Sequence, residues 1–397
     1  MKKLTVLLAA LLMSSTMFAQ TCIDDVWQCL KQNQAPKAKK FLESCMEANP
    51  DNAQVWLMKA NVYMQLYKSD KLKKDSDPNY TPRYPDALSI ANEAFVKALE
   101  LDPKVEPKTG MLSAQEGQRL CAEPFYNMGV ENAKNGNYTK AVENFTVAAK
   151  NYELAQSAFN ASSAYMQMGF IYRENLQDND NAVLMFTKAA NVRKDYTDAY
   201  IELFYTYQAM SDTARCTEVI GKALKHIPAA DVNSKGFLEA QMSCYSMSNQ
   251  NEKLLALCDT AIALFADDEN MIASSANYLS NAKSFEKAEQ ILAAALEKKP
   301  TSFRLNQEMG YLYYQKMYSM EDQAAVLIKE KKYNEAIALR GSDEMKAAIQ
   351  KSYEWCQKAY EIDSDNLDNN RHLREAMLKL GMTVPQELND KINARMH

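Results

Sequence analysis

One stretch constrains this chain more than any other. From Phe125 it reads FYNMGVENAKNGNYTKAVENFTVAAKNYE. Large residues (Phe125, Met128, Tyr138, Phe145) alternate at helical spacing with small ones (Gly129, Ala141, Ala148). Asn135-Gly136-Asn137 interrupts the pattern at its middle. Two amphipathic helices joined by a tight turn satisfy it. The small residues fall where two helices cross closely, and the large ones fill the space around the crossing. Such a hairpin cannot bury its apolar stripe alone, so it needs neighbours of its own kind.

The pattern resembles the tetratricopeptide repeat (TPR), whose signature runs W-x2-L-G-x2-Y, then A-x3-F, then P. Asn132 stands at the tyrosine position and Glu153 near the proline position. Similar units recur from Asp24 onward. Trp27, Leu30, Ala38, Leu42 and Cys45 outline the first, and Trp56, Ala60, Tyr63, Ala91, Phe95 and Ala98 the second. After the Phe125 unit come Ala158, Ser162 and Tyr165 with Ala182, Phe186 and Ala189, then Tyr200, Leu203, Phe204 and Tyr207 with Cys216, Ile220 and Ala223. A degenerate sixth unit is placed on Ala240, Cys244, Ala256 and Ala263. Ile272, Ala276 and Leu279 with Phe285, Ala288 and Leu292 form the seventh, and Met309, Gly310 and Tyr313 with Ser352, Cys356 and Ala359 the eighth. The step from Ala276 to Gly310 is the family period of 34 residues.

The resemblance implies an all-α fold: an α-solenoid, a right-handed superhelix of about eight helical hairpins. With 10 Gly and 11 Pro in 397 residues, turn residues are too scarce for a many-stranded β protein. Lys68 to Asp86, bearing Pro78, Pro82 and Pro85, and Tyr318 to Ser342 read as two inserted loops, and Lys104 to Cys121 as a looser lead-in. Ala158 begins a helix extended through Tyr172. Asn366 to Leu380, followed by Gly381, reads as a C-terminal capping helix. The expected organisation is a leader over 1–19, the repeat array over 20–365, and the capping helix and tail over 366–397.

The leader is MKKLTVLLAALLMSSTMFAQ: a basic start, an apolar run too short to span a bilayer, and a small-residue exit at Ala19. It predicts export, with the periplasm as address and secretion or the cell surface as the alternative. Gln20-Thr21-Cys22 lacks the residues of a lipobox. The net charge of -5 disfavours nucleic acid as a partner, and no later segment is apolar enough to cross a membrane.

Motifs for catalysis are missing. His226, His372 and His397 are the only histidines, none at ligand spacing from another histidine or a cysteine pair, so no metal site and no cofactor is expected. There is no phosphate loop, nucleophile elbow, H-E-x-x-H or C-x-x-C. The chain is therefore read as a non-enzyme. Paired acids such as Asp24-Asp25 and Asp267-Asp268 read as helix-start support. Of eight cysteines, Cys45, Cys216, Cys244 and Cys356 fall in core positions, while Cys22, Cys29, Cys121 and Cys258 fall outside the tightest ones. Cys22 or Cys29 bridging Cys45 would staple the weak first hairpin.

In the TPR family the first helices line a concave face that receives an extended peptide or a partner's helix. Carried over by position, the outward residues are Asn61, Tyr126, Tyr205, Asn277, Tyr311 and Tyr314. Asparagine offers a donor and an acceptor to a peptide backbone, and tyrosine offers rigid apolar area with a hydroxyl. Lys134 and Arg304 lie too far apart in the array to form one carboxylate clamp. The expected function is a periplasmic scaffold that binds other polypeptides, in envelope assembly, secretion or stress protection. The alternative is a carbohydrate- or small-ligand-binding protein, suggested by the cluster Tyr311, Tyr313, Tyr314 and Tyr318.

Overall fold

The computed structural model describes residues 21–394; the leader and its cleavage point lie outside them. The described residues are helical apart from short connections, and the helices pair into hairpins. They form two compact units that meet in sequence at Lys194 and Asp195.

The first unit holds α1 (21–31), α2 (Ala35–Ala48), α3 (Ala53–Ser76), α4 (Ala87–Leu101), α5 (Ala114–Lys134), α6 (Tyr138–Leu154), α7 (Ala158–Phe170) and α8 (Asn179–Val192). Successive pairs make four hairpins. The turn Asn135-Gly136-Asn137 joins α5 to α6, with Gly136 at φ +76°. The same left-handed turn is made elsewhere by Asn33 and Gln177, closed by a bond from the following N–H back to the helix. The extension of α7 is present as a π-helical turn, Ile171–Asn175.

The close crossing is literal. An added Cβ on Gly129 would lie 2.8 Å from the Phe145 ring, and one on Gly169 would lie 2.4 Å from Phe186. Phe95, Phe145 and Phe186 are fully buried. The first helix α3 is covered on two sides, by the preceding hairpin and by its own partner. Thus Val55, Met58 and Val62 of α3 face the first hairpin, while Leu57, Ala60 and Met64 face the second. Buried polar groups tie the layers: Asn151 Nδ2 donates to Asn92 Oδ1 at 2.8 Å, and Ser162 Oγ to the Ala189 carbonyl at 3.1 Å. A disulfide joins Cys22 to Cys45, the first of the two pairings expected. Closing a loop of 23 residues stabilises by about 3 kcal/mol on loop-entropy grounds.

The second unit contains α9 (Thr197–Ala209), α10 (Thr213–His226), the short α11 (Ala229–Val232), α12 (Lys235–Met247), α13 (Asn251–Leu264), α14 (Glu269–Asn281) and α15 (Phe285–Lys298). It continues with α16 (Phe303–Lys329), α17 (Tyr333–Arg340), α18 (Asp343–Ile362), α19 (Leu367–Lys379) and α20 (Gln386–Asn393). Here α9/α10, α12/α13, α14/α15 and α16/α18 are the hairpins. Gly310 meets Cys356, whose Sγ would lie 2.6 Å from an added Cβ, and Ser352 Oγ donates to the Gly310 carbonyl at 3.2 Å. Side-chain caps from Asp212, Asp268, Ser302, Ser342 and Asn366 open five helices, each contributing about 1 kcal/mol.

Several sequence expectations need correction. The insert at Lys68 to Asp86 is helix as far as Ser76, and only the proline-bearing remainder is loop. That loop is pinned to buried Asp70, whose carboxylate accepts from the Tyr80 hydroxyl and the Tyr84 N–H, both at 2.7 Å. The insert at Tyr318 to Ser342 is helical too: it completes α16 and adds α17. The lead-in before Phe125 is partly α5, whose Gly117 lies against Phe95. In the sixth hairpin Leu254, Cys258 and Ala261 face the core, two residues out of register with Ala256 and Ala263. Cys29, Cys121 and Cys258 are buried in apolar clusters, not peripheral. Burial pushes the Cys121 and Cys258 thiols up to about 12. Asp24, in the first described turn of α1, pairs in addition with Lys108. Gly381, at φ +72°, does follow α19, but α20 folds back so that Leu388 and Ile392 join Leu373 and Met377.

Two glycines should part company on substitution. Gly169→Ala should destabilise by about 1–3 kcal/mol through overpacking against Phe186. Gly221→Ala, in α10 with nothing within 4 Å, should be neutral or stabilising by up to about 1 kcal/mol. Urea denaturation of both variants checks this; equal effects would contradict the close-crossing account.

Candidate interaction surface

In the second unit the first helices α9, α12, α14 and α16, followed by α19, present polar and aromatic side chains that touch from helix to helix. Gln208 Nε2 donates to Ser243 Oγ at 2.8 Å, linking α9 to α12. Asn277 Nδ2 donates to Glu308 Oε2 at 3.2 Å, and Asn281 Nδ2 to Asn277 Oδ1 at 3.1 Å. The Tyr311 hydroxyl donates to Asn281 Oδ1 at 3.2 Å and accepts from Gln315 Nε2. The result is an amide–tyrosine ladder running across α14 and α16.

Beside it lies an aromatic group. Tyr314 sits 4.7 Å from Tyr318 and 4.4 Å from His372, and His372 sits 5.3 Å from Tyr311, all between ring centroids. Tyr318 donates its hydroxyl to Glu375 at 2.6 Å. Tyr313, one position from Tyr314, points the other way into the core, where its hydroxyl meets Glu289 and accepts from Lys351 at 2.8 Å. One of the four clustered tyrosines, Tyr313, is thus structural.

Charge on this face is controlled by burial. Desolvation pushes the Glu308 carboxyl above the usual carboxylate range, against the pull of Arg304 at 3.1 Å and of Asn277. The Arg304 guanidinium is therefore committed to its own helix. Desolvation holds His372 below the ordinary histidine value; Arg371 acts in the same sense, and Asp368 and Glu375 oppose it. Its Nδ1 is buried with no hydrogen-bond partner.

The six sequence-derived residues are distributed unevenly. Asn277, Tyr311 and Tyr314 come together in this ladder and ring group. Tyr205 belongs to the same unit, is 37% exposed, and rests edge-on against Phe204. Tyr126 lies in the first unit, edge-on to Phe145 and Tyr152, in a cleft of about 650 Å³ shared with Arg119, Glu123, Asn127 and Asn160. Asn61 was expected to face outward, yet it is buried. Its Oδ1 accepts the Leu112 N–H at 2.8 Å, and its Nδ2 donates to the Leu112 carbonyl at 3.1 Å. Sequence reading missed Asn281, Gln315, His372 and Glu375. Asn281 is one helical turn beyond Asn277 and Gln315 one beyond Tyr311, a spacing that was readable; the arrival of α19 was not. Among the described residues no group of three or more His, Cys, Asp or Glu could hold a metal ion, and no helix is long and apolar enough to cross a membrane.

No protein-family model matches the chain, and no curated protein matches it. Solved structures resemble it at low identity. A tetratricopeptide repeat protein from Parabacteroides merdae ATCC 43184 is 11% identical over 79% of this chain and 98% of its own, with a TM-score of 0.39. YrrB, described as a TPR protein with an unusual peptide-binding site, is 17% identical over 72% of this chain and all of its own, with a TM-score of 0.33. Pseudomonas aeruginosa pilF is 12% identical over 64% and 95%, with a TM-score of 0.30. Likeness of this degree concerns the fold alone, and the hairpin architecture rests on the helices described above.

The buried imidazole sets a pH dependence. The unfolded chain takes up a proton on His372 near the ordinary histidine value of about 6.5, the folded chain only below it. The unfolded state therefore binds more protons in that window, and stability falls as pH drops through it. Urea denaturation between pH 7 and 5 should show a steeper loss for the native chain than for His372→Asn. Parallel curves would contradict the burial argument.

Proposed function

We propose that this chain is a non-catalytic tetratricopeptide-type scaffold of the bacterial envelope, exported to the periplasm, that holds an extended segment of another polypeptide on the first-helix side of its second unit. The observation that carries the reading is the ladder Asn277–Asn281–Tyr311–Gln315 beside the Tyr314–Tyr318–His372 rings. Side-chain amides offer paired donors and acceptors to a peptide backbone, and tyrosines supply contact area at little entropy cost. The leader sequence supports export.

The geometry favours polypeptide over carbohydrate. A sugar needs an open ring face, whereas Tyr314 is hemmed by Tyr318 and His372, and the Tyr318 hydroxyl is committed to Glu375.

Co-purification from periplasm tests the proposal. A specific partner should be recovered with the native chain. Tyr205→Ala and Tyr311→Ala should each weaken that recovery by about five- to thirtyfold, as alanine at an interface tyrosine does, with helicity unchanged by circular dichroism. Undiminished recovery would overturn the assignment of this face.

A further inference from the structure

Residues 102–113 connect α4 to α5 without helix, and part of this segment lies on α1 and α3. It is held from far away in sequence. Trp27 Nε1 donates to the Thr109 carbonyl at 3.0 Å across 82 positions. Lys108 pairs with Asp24, and its Nζ stands 5.1 Å from the Trp27 ring centroid. Met111 packs on the apolar cluster of the first hairpin. Asn61 clamps the N–H and the carbonyl of Leu112, the pairing a neighbouring strand would make.

The clamp and the indole bond both end on main-chain atoms, which any extended chain presents. Side-chain identity enters at Lys108, through charge and the Trp27 ring, and at Met111, through apolar contact. The segment does not fill the face: a cleft of about 200 Å³ remains beside it, bordered by Leu30, Lys31, Gln65 and Lys68. Gln65 Oε1 is buried with no hydrogen-bond partner. Asp24 and Trp27 ride on α1, and the Cys22–Cys45 disulfide fastens that helix to α2.

We propose that residues 104–113 are an intramolecular strap seated in a binding site for extended polypeptide, and that a second extended chain with the same lysine-then-apolar pattern displaces it. The site belongs to the first unit and does not rest on the reading of the second. A tethered segment competes at an effective concentration on the order of millimolar, so an incoming chain meets a partly blocked site.

The test is fluorescence anisotropy with a labelled synthetic peptide of sequence KVEPKTGMLS, residues 104–113. Lys108→Ala/Met111→Ala loosens the strap and leaves Asp24, Trp27 and Asn61 in place. This variant should bind the peptide at least about tenfold more tightly than the native chain. Adding Asn61→Ala should remove that gain. Equal binding by the native and loosened chains, with helicity intact, would overturn the proposal, as would binding indifferent to Asn61→Ala. Should the loosened variant lose helicity, hydrogen exchange at the Leu112 amide of the native chain decides. Exchange through local opening, insensitive to low denaturant and faster with added peptide, supports a displaceable strap. Exchange only through global unfolding overturns it.

Discussion

The structure depends on a small residue lying against a large one where two helices cross. Gly129 against Phe145 and Gly169 against Phe186 let the helix axes approach until an added methyl group would collide, and Gly310 lies as close to the smaller Cys356. That approach packs the two helices of these hairpins tightly. Stacked hairpins bury the first helix on two sides, as α3 shows with its two opposed apolar rows. A helix so covered keeps a single free strip, and polar or aromatic side chains gather there.

The same constraint explains what could be read from the chain. Glycine, alanine and phenylalanine at fixed spacing marked most of the hairpins. The turn at Gly136 was visible because glycine accepts its left-handed conformation without penalty. Equivalent turns at Ser211, Asn249 and Lys283 use residues that bear a Cβ, so nothing in the composition announced them. The sixth hairpin slipped by two residues because alanines at 256 and 263 imitate a core pattern while Leu254 and Cys258 occupy it. The inserts looked like loops because they are charged. Charge does not end a helix, however, and α3 runs on until Asp77 and Pro78. Likewise Met317, Met320 and Ala324 extend the buried stripe of α16 past the repeat length.

Positions of the candidate surface were legible where they depended on helix spacing and obscure where they depended on distant chain. Asn277, Tyr311 and Tyr314 follow from their position on first helices. His372 enters the same cluster because α19 packs across α16, a tertiary event. Asn61 had the chemistry expected of it, an amide closing on a peptide backbone. Its partner is Leu112 of the same chain, 51 residues away, which no local pattern indicates.

The two faces thus divide the work differently. In the first unit the chain lays its own extended segment across α1 and α3; in the second the amide and tyrosine groups bond one another in a ladder across α14 and α16. The most direct measurement of whether that ladder holds another polypeptide is site-specific photo-crosslinking in intact cells. A benzophenone side chain at Tyr314 should yield a discrete adduct with a second polypeptide, and the same probe at exposed Leu224 on α10 should not. Identical adducts at both positions, or none at Tyr314 while the chain remains folded, would contradict the account.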